Sequence, residues 1–183
     1  MERIIVQPPV TGAAALAELK HWLGISRPGE DEALTGLLDA SIAICEAFTG
    51  TAPLTQTVEE VIAPRSGWQE LTSRPVRAIS GAALIAADGT RQALVLPTDV
   101  LEWRIAGSAC VQLLRPFDGT GVAMQLVVGI ADDWESVPAA LRHGIIRLAA
   151  HHYRDRDRDP KASAAPPASV TALWRPWRSM RLT

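Results

Sequence analysis

Histidine is the residue type in this chain that comes nearest to chemistry. His143, His151 and His152 lie close together, just before an alternating run of arginine and aspartate. Imidazole changes charge near neutral pH and is a common zinc ligand, so both uses must be weighed. The spacing opposes a shared metal. His151 and His152 are adjacent, which on a helix turns them about 100° apart, and His143 lies two turns before His151. HExxH is absent and no cysteine or carboxylate stands at ligand spacing, so no metal site is expected. Nucleophile patterns are equally thin. GxSxG does not occur, Ser108 follows Gly107 in a turn with no evident base, and Cys45 and Cys110 sit in apolar runs that keep a thiol protonated. Asp118-Gly119 is no phosphate loop, because no Gly-rich segment leads into a helix with Lys and Ser/Thr behind it. The expectation is no catalytic residue and no cofactor.

The histidines make better sense as parts of a helix over residues 137–157. Leu141, Ile145, Leu148, Ala149 and His152 recur at three- and four-residue steps, with Ile146 and Tyr153 beside them, and form an apolar face that must be buried. His143, Arg147, His151, Arg154 and Arg158 form a second stripe, basic along its length, which needs an acidic or solvated neighbour. Ser136 is the candidate N-cap and Pro138 suits the first turn. Asp132, Asp133 and Glu135 suit the positive end of the helix dipole.

The elements before it change period twice. Residues 13–23 place Leu16, Leu19 and Leu23 at helical spacing, with Gly24 as a stop. Residues 31–49 do the same with Leu34, Leu38, Ile42, Cys45 and Phe48, closed by Gly50 and Pro53. Two helices joined by so short a turn pack antiparallel. The segment 54–130 then breaks into short β-branched runs at 55–62, 76–85, 93–96, 101–105, 110–114 and 122–130, separated by turn residues such as Asp88-Gly89. These read as one antiparallel sheet, with residues 2–6 as a short edge strand. Residues 161–169 (KASAAPPAS) are small and proline-rich, hence a linker.

The reading is an α+β protein: a small helical bundle (13–23, 31–49, 137–157) with an inserted β-sheet (54–130), one domain over 1–159, and an extended arm over 160–183. Trp174, Arg175, Trp177, Arg178 and Met180 on that arm are too few to build a core, so they need another surface. Trp and Arg are enriched at binding hot spots. A subunit-docking or partner-docking role is expected, with folding back onto the same domain and contact with nucleic acid as the alternatives.

Composition excludes several classes. With 183 residues, 48 % hydrophobic and 21 % charged, the chain is an ordinary globular domain. No run approaches the roughly 18 apolar residues of a membrane span, and no signal-peptide pattern opens it, so a cytoplasmic protein is expected. The net charge of -2 hides an asymmetry: residues 1–136 hold nine Lys/Arg against seventeen Asp/Glu, residues 137–183 nine against three. Such polarity suits contact between copies, or a basic part that touches nucleic acid.

Several stretches together resemble the head-to-tail connector (adaptor) proteins of tailed phages, including those of gene transfer agents. They are AAALAELKHWLGI from Ala13, DEALTGLLDASIAICEAFTGTAPLTQT from Asp31, RPVRAISGAALIAADGTRQAL from Arg74, and VPAALRHGIIRLAAHHYRDRD from Val137 after a V-x-G strand end. The resemblance spans nearly the whole chain, and its order and spacing are more specific than any one motif. It implies a structural virion protein in the particle neck, cytoplasmic before assembly. It further implies a ring of about twelve copies, bound to the portal protein and to the next tail component, a stopper or tail terminator. Double-stranded DNA would pass through the centre without specific binding, and no membrane would be involved. On that reading Trp174, Arg175, Trp177 and Arg178 dock on the portal or a neighbour, and an acidic sheet surface faces the tail or the channel. Two other classes remain: a nucleic-acid-binding module using the basic helix face, and a small cytoplasmic hydrolase using His151 or His152.

Overall fold

The computed structural model of the protein describes residues 2–105, 108–155 and 165–178, and among them the chain is α+β. It divides into two compact units. A β unit comprises Met1–Pro9 with Thr55–Gly129, and a helical unit comprises Val10–Leu54 with Ile130–Thr183.

In the β unit the described strands are β1 (Glu2–Gln7), β2 (Gln56–Ile62), β3 (Gly67–Glu70), β4 (Val76–Ile85), β5 (Arg91–Leu94), β6 (Val100–Ile105), β7 (Ser108–Leu113) and β8 (Gly121–Val128). They form two antiparallel sheets, not the single one expected: a five-stranded sheet ordered β1-β2-β8-β4-β5, and a three-stranded sheet ordered β3-β7-β6. The difference comes from β3, whose sequence GWQE has no apolar alternation. Its inward residue is Gln69, whose amide is satisfied by Ala63 N–H (3.2 Å) and by the carbonyls of Ala63 (2.9 Å) and Arg65 (3.3 Å), while Trp68 is 48 % exposed. Polar atoms can face inward when every bond is met.

Glu60 is the most demanding residue of this unit. On β2 every second residue is buried, and the position falls to a carboxylate that is 0 % exposed. It accepts the N–H groups of Thr72 (2.7 Å) and Ser73 (3.0 Å) and the Ser73 hydroxyl (2.9 Å), while Arg3 Nε donates to that hydroxyl at 3.0 Å. A buried carboxylate survives because such donors replace water. Asp88-Gly89 makes the expected turn between β4 and β5. Asp88 accepts from Thr90 N–H (2.9 Å) and hydroxyl (2.7 Å), which holds its carboxyl below the ordinary range, and Gly89 takes a φ of 82°.

The helical unit contains α1 (Gly12–Leu23), α2 (Asp31–Thr49), α3 (Ala139–Asp155) and α4 (Ala168–Trp174). One core joins Leu19, Leu34, Leu38, Ile42, Leu141, Ile145 and Leu148, the residues whose helical spacing marks them as inward. Gly24 and Gly50 end α1 and α2 in the left-handed region, with φ of 74° and 72°. Cys45 belongs to this core, and burial, helped by neighbouring Glu46, pushes its thiol up to about 12. Ser136 does not cap α3. Its N–H is taken by Asp133 (2.8 Å) in a turn, and the helix begins at Ala139 with Arg142 N–H donating to Pro138 at 3.0 Å.

The extended arm over 160–183 is corrected by α4. Its described part, residues 165–178, folds back onto its own unit, with Val170 and Trp174 1 % and 0 % exposed. Trp174 donates its indole N–H to the Leu141 carbonyl (3.3 Å) and lies tilted against Phe48, ring centroids 6.0 Å apart. Gly144 makes room for it: a Cβ there would stand 2.2 Å from Trp174 Nε1. A seven-residue helix gains little from its own hydrogen bonds, so packing into this notch is what orders it.

Candidate functional site

Charge sorts itself differently from the division at residue 136. The β unit holds seven Lys/Arg against eight Asp/Glu, so by count it is nearly neutral. The polarity lies within the helical unit, where residues 10–54 hold two Lys/Arg against six Asp/Glu and residues 130–183 hold nine against six.

The basic stripe gathers as expected on α3, in its described part. His143 is exposed and meets the Trp22 ring edge-on, with centroids 5.3 Å apart at 84°. Arg147 is half-buried and Arg154 exposed, and neither makes a hydrogen bond or ion pair among the described residues. His151 Nε2 faces Asp155 Oδ2 at 3.1 Å. Arg158 lies outside the described residues. Arg147, His151, Arg154 and Asp155 share a surface groove of about 340 Å³ with Trp22 of α1, and Pro167, Ser169 and Val170 of the C-terminal segment form another part of its wall. Trp22 is 44 % exposed, an apolar wall beside two guanidinium groups. His152 turns toward the core and is half-buried, and burial, with His151 next to it, holds its pKa below the ordinary 6.5.

The second expected set is split by the fold. Trp174 is interior and cannot dock on anything else. Trp177 is half-buried against the same core, Arg178 lies over the Phe48 ring at 5.6 Å, and Arg175 is exposed. Met180 lies outside the described residues.

An acidic loop, read from sequence only as a partner of the helix dipole, stands just before α3. Asp132, Asp133 and Glu135 are exposed. Trp134 between them is 3 % exposed and donates its indole N–H to Glu18 at 2.8 Å, which anchors the loop and turns its carboxylates outward. Asp133 is held below the ordinary carboxylate range by Ser136. The signal was legible: an aromatic flanked by acids is a buried anchor with a solvated rim.

Among the described residues no group of three His, Cys, Asp or Glu is placed to hold a metal ion, and no helix is long and apolar enough to cross a membrane. What the helical unit offers is surface of two signs.

Solved structures share this fold over its full length. One, described as the neck of an empty GTA particle computed with C6 symmetry, contains a chain 23 % identical to this one; the likeness covers 100 % of this chain and 98 % of that one, with a TM-score of 0.78. The chain shares its fold with a chain of gene transfer agent particles. The virion of a native gene transfer agent (GTA) particle contains a match at 24 % identity, 100 % and 98 % coverage and TM-score 0.77. The neck of a native GTA particle computed with C12 symmetry contains another, at 23 % identity, 98 % coverage of both chains and TM-score 0.71. No protein-family model matches the chain, and no curated protein sequence does.

Proposed function

We propose that the protein is a head-to-tail connector subunit, one copy of a ring seated in the neck of a gene transfer agent or phage-like particle. The observation that carries this is the full-length likeness to chains of particles whose necks were computed with C6 and C12 symmetry. The ring holds about twelve copies, binds the portal protein above and a stopper or tail terminator below, and lets double-stranded DNA pass without gripping it.

The surface supports a part that is completed by assembly. The edge strand β1 leaves Ile4, Ile5 and Val6 49 %, 50 % and 50 % exposed in succession, and an uncovered apolar edge is a liability unless something pairs with it. Contact with the portal or a neighbour falls to Arg175, Trp177 and Arg178 and to the residues that follow, including Met180. Trp174 supports that segment from inside.

Removing the gene from cells that make the particles tests this reading. Filled heads without tails are expected, restored to tailed particles by the intact chain; normal tails in its absence overturn it. Arg147 and Arg154, which have no ion-pair partner among the described residues, favour a second reading, a nucleic-acid-binding module. It requires affinity for duplex DNA that falls steeply with added salt.

A further inference from the structure

The helical unit carries its two charged patches at opposite ends of one helix. The acidic loop, Asp132 to Glu135, precedes α3, and the basic groove lies along its second half, so at 1.5 Å per residue Arg147 and Arg154 stand about 12 and 22 Å along the axis from the first residue of the helix. Within one copy no ion pair joins them among the described residues. Arg147 and Arg154 have no partner among the described residues, and the carboxylate of Glu135 has none either, although its backbone carbonyl accepts from Arg142 at 3.1 Å. Two unlike patches on one rigid element are what a head-to-tail contact needs, since each copy then offers one patch to each neighbour.

We infer that the groove walled by Trp22, Arg147, His151 and Arg154, whose one acidic lining residue, Asp155, faces His151 at 3.1 Å, receives the acidic loop Asp132–Glu135 of a second copy. The inference rests on the connector reading and names the contact between copies. A groove of about 340 Å³ is at the small end of binding pockets, which span roughly 300–1,000 Å³. That size admits the tip of a loop, whereas duplex DNA is too wide to enter and would touch only the rim. Burial of Trp134 keeps the loop's backbone in place, so little order is lost when its carboxylates meet the guanidinium groups. The groove is built in part by the segment that leads into α4, so it exists only when the C-terminal segment is folded back.

The test is a charge swap. R147E/R154E makes the groove acidic. D132K/E135K makes the loop basic and spares Asp133, which holds the turn. Sedimentation at low and high salt should show wild-type chain that associates at low salt and loosens as salt is added. Each variant alone should associate roughly a hundredfold more weakly, with wild-type circular dichroism and melting. An equimolar mixture should associate again, because each groove then meets a loop of opposite sign. A wild-type chain that stays monomeric at low salt, or a mixture of two folded variants that does not associate, overturns the inference. Association that survives both reversals also overturns it and leaves the connector reading intact, because the gene-removal experiment tests that reading separately. Duplex DNA binding that R147E/R154E abolishes would assign the groove to nucleic acid and equally overturn it.

Discussion

Gly144 and Trp174 are the pair on which the end of the chain depends. The Trp174 indole sits where a Cβ on residue 144 would stand, 2.2 Å from Nε1, and it is 0 % exposed. Gly144→Ala should therefore cost about 1–3 kcal/mol by overpacking, and Trp174→Ala about 3–5 kcal/mol by leaving a cavity. Urea unfolding of both variants checks this; a Gly144→Ala protein as stable as wild type would show that the notch does not constrain α4. In the β unit, Glu60→Leu should cost about 1–3 kcal/mol for each donor it orphans at Thr72 and Ser73, again read from the urea midpoint. His152 gives a pH dependence whose sign follows from its environment. Its folded pKa lies below the unfolded 6.5, so the neutral form is the one the fold prefers. Stability is then complete above about pH 6.5 and declines as pH falls through 6.5 toward the folded value. His152→Gln should flatten that decline between pH 7 and 5; an unchanged slope would assign the acid sensitivity to other groups. Trp174 was legible from its sequence as a residue in need of a surface, but the surface itself was not. Only the contact with Gly144, thirty residues earlier, supplies it.

At the scale of elements, what could be read from periodicity was read well. Leu16, Leu19 and Leu23 mark α1, Leu34 to Cys45 mark α2, and glycine stops fall where left-handed residues end both helices. β2, β4 and β6 lie within a residue of their expected limits, and β5, β7 and β8 within two. β3 was not legible, because its buried residue is a glutamine and its tryptophan is outside. Missing it merged two sheets into one. α4 was read as an arm because a helix of seven residues has no local reason to be stable. Its order is tertiary, and removal of the chain from Ala165 onward should therefore do more than abolish assembly. It should expose the core around Leu141 and Phe48, lower the melting temperature and raise binding of an apolar dye. Unchanged melting would restore the picture of a free arm.

For the whole molecule, the charge asymmetry along the chain was correct in size and wrong in place. Counting from either side of residue 136 suggested an acidic sheet and a basic helix, whereas the β unit is nearly neutral and both signs lie within the helical unit. Sequence order hid this because the helical unit is assembled from the two ends of the chain around the β unit. The proposed connector role stands or falls on where the protein sits. Electron cryo-microscopy of purified particles, with the neck averaged under cyclic symmetry, is the most direct measurement. The account predicts density for this chain as a ring between the portal and the first tail component, with α3 of each copy facing the acidic loop of the next. Particles whose neck contains no copy of the chain, or in which it appears away from the neck, would contradict it.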